Sequence, residues 1–171
     1  MKIKKIKTFA FEELSDKAKN VALNQFRGVH VEYFDWYHQV YDDANEIGIQ
    51  ITGFDIGRAN SITGKFNSNT CSIYCAKNII KNHGETCETY KLAKQFIEDY
   101  AKFDSESEDY SPMEFEEFEE QFLQNILEEY LTMLKHDYDY NTSDEAVSEY
   151  IITTEIVFDE IGNEIAYQLI D

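Results

Sequence analysis

Proline is nearly absent from this chain and glycine is scarce, one and seven among 171 residues. Collagen-like and low-complexity architectures are excluded, and so few breakers imply a continuous fold with few linkers. Three cysteines, Cys71, Cys75 and Cys87, cannot all pair with one another, which argues against a disulfide framework and for reduced thiols in a cytosol. No apolar run reaches the roughly 18 residues of a membrane helix, so no membrane span is expected. The opening MKIKKIKTFAFEEL is basic but lacks the apolar core of a signal peptide, and it reads as structure.

Cations are missing from one long stretch. Glu98 to Glu160 carries 21 Asp and Glu against Lys102 and Lys135, a balance of −19. The remaining residues hold 13 acids and 13 bases, so the whole net charge falls in that segment. Nucleic-acid phosphates and anionic membranes would be repelled, so neither is an expected partner. A basic protein is, including one whose groove ordinarily holds nucleic acid. Acidity can serve solubility alone; its segregation is what favours a partner.

The apolar share of 43% and aromatic share of 15% can fill a core. The chain reads as one domain, 1–171, with 98–140 an acidic helical portion. Residues 2–9 suggest a strand. Ser15 is placed to cap a helix through Ala18, Val21, Ala22 and Phe26, ended by Gly28. Residues 31–47 predict a second helix closed by Gly48, with Phe34, Tyr37, Val40, Tyr41, Ala44 and Ile47 on one face. Strands are expected at Ile49–Thr52 and Phe54–Ile56 around Gly53, at Ser61–Phe66 and at Thr70–Ala76, with a turn at Asn67–Asn69. From Thr86 a helix carries Leu92, Phe96, Ile97, Tyr100 and Phe103. An acidic connection, Asp104–Tyr110, leads to the longest helix, capped by Ser111 with Pro112 at its first position and running to about His136. Its apolar stripe drifts, which implies two packing partners. Thr142 or Ser143 caps a short helix to about Ile152. Thr154–Phe158 and Glu164–Leu169 suggest a closing hairpin about Gly162-Asn163. The expected class is α+β, a small mostly antiparallel sheet with three to four main helices, one of them long and acidic.

Four stretches carry a likeness: KTFAFEELSDKAKNVALNQFR (7–27), YFDWYHQVYDDANEIGIQITGFDI (33–56), ITGKF (62–66) and NTSDEAVSEYIITTEIVFDEIGNEI (141–165). In these the chain resembles a family of small acidic, mostly uncharacterised proteins of bacteriophages and mobile elements. The middle, about 77–140, matches only in helical character, and no catalytic motif comes with the resemblance. It implies a phage or prophage context in the cytoplasm of a bacterial host. Inhibitors of host defence, some of them nucleic-acid mimics, are common among such proteins.

Cys71, Cys75, His83 and Cys87 are zinc-ligand types. Were 70–76 a strand, Cys71 and Cys75 would stand about 13 Å apart, too far for one ion, which favours free or buried thiols. Asp137, Asp139, Asn141 and Ser143 imitate the start of a calcium loop, but Thr142 replaces its glycine and Ser148 its bidentate glutamate. Ala59 to Phe66 hints at a phosphate loop but lacks the first glycine and the magnesium-binding hydroxyl. His30, His38, His83 and His136 follow no metal or catalytic spacing. Tyr33, Trp36, Tyr37 and Tyr41 could stack bases, although aromatics at this spacing ordinarily pack inside.

The expectation is therefore a non-enzymatic protein with no cofactor and no metal: an anti-CRISPR-like DNA mimic that inhibits a basic, nucleic-acid-binding host protein such as a CRISPR effector or restriction component. The residues expected to touch the partner are Asp104, Glu106, Glu108, Asp109, Glu114, Glu116, Glu117, Glu119 and Glu120. The alternative is a protein–protein adaptor whose acidity is incidental.

Overall fold

The computed structural model describes residues 7–105 and 111–165, without the side chains of Phe103, Asp104 and Ser105. The fold is α+β. Two compact units divide it: Met1–Trp36 together with Asp137–Asp171, and Tyr37–His136.

The first unit is assembled from both ends of the chain. A short strand β1 (Phe9–Ala10) runs into a 3-10 turn (Phe11–Glu13) and helix α1 (Asp16–Phe26). Ser15 caps α1 as expected, its hydroxyl accepting the Ala18 N–H at 3.3 Å. Gly28 does not end α1 in a left-handed turn: its φ of −88° is right-handed, and it opens the one-turn helix α2 (Val29–Glu32) instead. The second half supplies α7 (Asp144–Thr153), capped by Ser143 through the Ala146 N–H, and β4 (Val157–Phe158). β4 pairs antiparallel with β1, Phe9 opposite Phe158. The expected closing hairpin is present only as the bridge Phe158 to Glu164; Thr154–Ile156 is not strand, and 166–169 lies outside the described residues. Its corner is organised by Asp159, whose carboxylate accepts the N–H groups of Ile161 and Asn163 at 3.0 and 2.8 Å. Of the strand expected at 2–9, residues 2–6 lie outside the description, and within 7–9 only Phe9 is paired. α1 packs on α7 around Leu14, Ala18, Ala22, Val147, Ile151 and Phe158, all buried.

The second unit is continuous. α3 (His38–Ile47) buries Val40, Ala44 and Ile47 and ends in left-handed Gly48, φ 99°, whose N–H returns to the Ala44 and Asn45 carbonyls. The expected helix over 31–47 is thus broken: α2 stops at Glu32 and α3 starts at His38. The intervening Tyr-Phe-Asp-Trp-Tyr run consists of weak helix formers. β2 (Ile49–Asp55) and β3 (Ser61–Phe66) form a hairpin whose register shifts between Ile51 and Gly53. Gly53, read as an interruption, marks that irregularity.

Thr70–Ala76 is not the next strand. It opens α4 (Ser72–Asn82), in which Ser72, Cys75, Ala76 and Ile79 are buried at helical spacing. The meander therefore ends at two strands. Among the described residues the sheet structure is two separate antiparallel pairs rather than one sheet. α5 (Glu88–Ser105) packs on α4, and α6 (Pro112–Asn141) follows. α6 continues past the expected end at His136 and takes Asp137, Asp139 and Asn141 into helix, so the imitation calcium loop does not exist as a loop.

The drifting stripe of α6 meets two partners in this unit. Phe118 and Phe122 stack on Phe96 of α5, centroids 4.7 and 4.0 Å apart. Leu127 lies against Gly64 of β3, where an added Cβ would come within 2.7 Å of it. That close approach, not a phosphate, explains the glycine within Ala59–Phe66.

Candidate functional site

The acidic start of α6 is built by a reciprocal cap. The Glu114 N–H donates to the Ser111 hydroxyl oxygen at 3.3 Å, while the Ser111 N–H and hydroxyl donate to Glu114 Oε2 at 2.7 and 2.8 Å. Such a capping box satisfies N–H groups that have no partner inside the helix. The same bonds, the Ser111 N–H first, hold the Glu114 carboxyl below its ordinary range. Glu119 is half-buried and accepts the hydroxyl of Ser72, a residue only 1% exposed. These two acids are committed to the fold.

Glu116, Glu117 and Glu120 are exposed, and among the described residues no cation pairs with them. At about 100° per residue they share an arc of roughly 100° on α6. Beneath their helix lie the near-parallel rings of Phe96, Phe118 and Phe122, with Tyr100 edge-on to Phe115 at 5.5 Å. The display therefore stands on a packed aromatic base. Glu106, Glu108 and Asp109 lie outside the described residues, as does the side chain of Asp104. Of the nine acids expected, three form an exposed group and two are tied internally.

The acid-rich segment does not belong to one unit. Counted by unit, Met1–Trp36 with Asp137–Asp171 holds 15 acids and 7 cations, and Tyr37–His136 holds 19 and 8, net −8 and −11. Charge that is segregated along the chain is shared between two bodies.

A second constellation went unseen in the sequence. The His83 ring contacts Thr89 Oγ1 through Nδ1 at 2.7 Å and approaches Asp43 Oδ2 through Nε2 at 3.4 Å. Tyr130 donates its hydroxyl to the same Asp43 oxygen at 2.7 Å. Hydroxyl, imidazole and carboxylate follow the order of a nucleophilic triad. Thr89, however, is wholly buried, and no substrate reaches its oxygen. The alignment at Nε2 is too poor for a hydrogen bond, so the 3.4 Å approach is electrostatic. The His83 contact, aided by Tyr130, lowers the Asp43 carboxyl despite partial burial. Burial, then Asp43, pushes the Tyr130 hydroxyl up. The cluster is an internal brace joining α3, the end of α4, α5 and α6. Asp43, His83 and Tyr130 come from distant parts of the sequence, and no local spacing could have announced their meeting.

Cys71 stands at the cap of α4 and Cys75 one turn on, so the 13 Å argument against zinc fails with the strand it assumed. What separates the set is direction: His83 faces Asp43 and Thr89, Cys75 is buried, and Cys71 and Cys87 are exposed. Among the described residues no group of three or more His, Cys, Asp or Glu is disposed to hold a metal ion. Burial lifts the Cys75 thiol to about 12, far from nucleophilic thiolate. Tyr37 and Tyr41 pack with Phe54, as aromatics in a core do, whereas Tyr33 and Phe34 do not: they are 77% and 54% exposed. No described helix is long and apolar enough to cross a membrane.

A comparison with protein-family models, with curated proteins and with solved structures finds no match.

Proposed function

We propose that this is a non-catalytic inhibitor of the phage type, which binds a basic, nucleic-acid-handling host defence protein, a CRISPR effector or a restriction component, in the cytoplasm of a bacterial cell. Carboxylates stand in for phosphates. The observation that carries the reading is the trio Glu116, Glu117 and Glu120, exposed and without a described counter-ion on an aromatic-braced helix. They place three charges along roughly 6 Å of helix axis. B-DNA presents one per roughly 1.7 Å, a comparable density. Attraction of this kind speeds capture and weakens with salt.

The test is competition for DNA or guide RNA on purified effectors and restriction complexes. Wild-type protein is expected to displace nucleic acid, less effectively as salt rises. The Glu116→Lys, Glu117→Lys, Glu120→Lys variant should lose at least tenfold in potency with an unchanged circular-dichroism spectrum. Unchanged potency rejects the mimic.

The adaptor reading draws on a different observation, the exposed rings of Tyr33 and Phe34. Binding indifferent to salt would select it.

A further inference from the structure

The turn Glu32-Tyr33-Phe34-Asp35 departs from its own sequence pattern. Helical spacing assigns Phe34 to a buried face, yet α2 ends at Glu32 and both rings turn to solvent, 77% exposed for Tyr33 and 54% for Phe34. Two adjacent large apolar rings left in water offer a local contact surface, unlike the scattered single residues of an ordinary surface. The turn is held at each side. The His30 ring lies 6.0 Å from Phe34 and places Nε2 at 3.3 Å from the Ala146 carbonyl oxygen. Trp36 packs edge-on against Tyr138 at 5.9 Å.

Exposed carboxylates flank the rings, Glu32 before and Asp35 after. They repel phosphate, which disqualifies nucleic acid despite the stacking faces. A purely apolar partner would cover the Glu32 carboxylate without compensating it. A guanidinium satisfies both features, its plane stacking on a ring and its N–H fork reaching a carboxylate. This unit already uses cations over rings: Lys7 Nζ lies 4.5 Å from the Phe9 centroid and Lys19 Nζ 5.9 Å from that of Phe11. Its net charge of −8, from 15 acids and 7 cations, adds attraction at a distance.

We propose that Glu32–Asp35 is an arginine-reading surface, the docking site for an arginine-bearing segment of a basic protein. It shares no residue with the trio Glu116, Glu117 and Glu120, and either surface can fail without the other.

The experiment titrates the full chain with nona-arginine and with nona-lysine and follows the emission of Trp36, the only tryptophan. Both peptides meet the acidic surface and either cation can sit over a ring, so the ratio of affinities reads the planar stacking and forked donors that a guanidinium adds. The extra stacking and forked hydrogen bonding of two guanidinium contacts imply a preference for arginine of roughly threefold or more. Tyr33→Ser with Phe34→Ser should bring the ratio close to one, weakening nona-arginine more than nona-lysine. Both side chains are exposed, so a native circular-dichroism spectrum is expected. The Glu116→Lys, Glu117→Lys, Glu120→Lys variant should keep the ratio. Equal affinities in the wild type, or a ratio that survives loss of both rings, overturns the proposal. So does tighter binding of a single-stranded oligonucleotide, or concentration-dependent self-association that the ring substitutions abolish.

Discussion

Tyr130 donates its buried hydroxyl to Asp43 Oδ2 at 2.7 Å, tying α6 to α3 across 87 positions of sequence. Removal of either end differs in consequence. Tyr130→Phe leaves a carboxylate that is 45% exposed and can recruit water, at a cost of about 1 kcal/mol. Asp43→Ala strands both the Tyr130 hydroxyl and the His83 ring in the interior, at about 2–4 kcal/mol. Urea denaturation should rank the two in that order.

The same carboxylate makes stability depend on pH in a fixed direction. Asp43 titrates below its ordinary 3.8 in the folded protein. Its contribution is therefore complete above that ordinary value and is lost as pH falls through the lower folded one. The stability difference between wild type and Asp43→Asn should be level from neutrality to about pH 5 and shrink below pH 4. Urea midpoints at stepped pH would show it; a difference that grows on acidification contradicts the sign.

Thiol chemistry should divide the cysteines. Cys71 and Cys87 are exposed and Cys75 is buried. A thiol-disulfide reagent at pH 8 is expected to modify the first two quickly and Cys75 only after denaturation. Since its thiol titrates near 12 when folded, Cys75 favours the native state up to the ordinary thiol range and loses that effect as pH rises toward 12. Cys75→Ser should flatten the alkaline limb of the stability profile.

Gly162→Ala should destabilise the unit built from the chain ends by about 3 kcal/mol or more. Gly162 has φ +94°, and an added Cβ would sit 2.1 Å from the Ala18 carbonyl oxygen. Backbone cannot yield as a side chain can. Gly64→Ala meets Leu127 side-chain atoms first, at 2.7 Å, and should cost less. Thermal unfolding compares the pair.

Local chemistry was the legible part of this fold. Ser15 and Ser143 cap helices, Gly48 closes one in the left-handed region, and Gly53 marks the irregular pairing, each through interactions with near neighbours. Thr70–Ala76 misled because its alternation and β-branched residues fit a strand over seven positions. A longer window shows Cys75, Ala76 and Ile79 at helical spacing, and burial of that stripe decides the element. The break at Tyr33–Tyr37 was hidden for a similar reason, since helical period continues through a segment that folds otherwise. At the acidic site, sequence supplied the charge but not its allocation. Which of Glu114, Glu116 and Glu119 is tied to a partner depends on Ser111 beside it and on Ser72 far from it.

The order of synthesis acquires a meaning from the division of the chain. Tyr37–His136 is inserted between the two parts of the other unit. A ribosome emits Leu14, Ala18 and Ala22 well before Val147, Ile151 and Phe158, the residues that cover them. Until those arrive, the early apolar face of α1 lacks its mates and is exposed to chaperones and to aggregation, while the inserted unit has all of its own residues in hand.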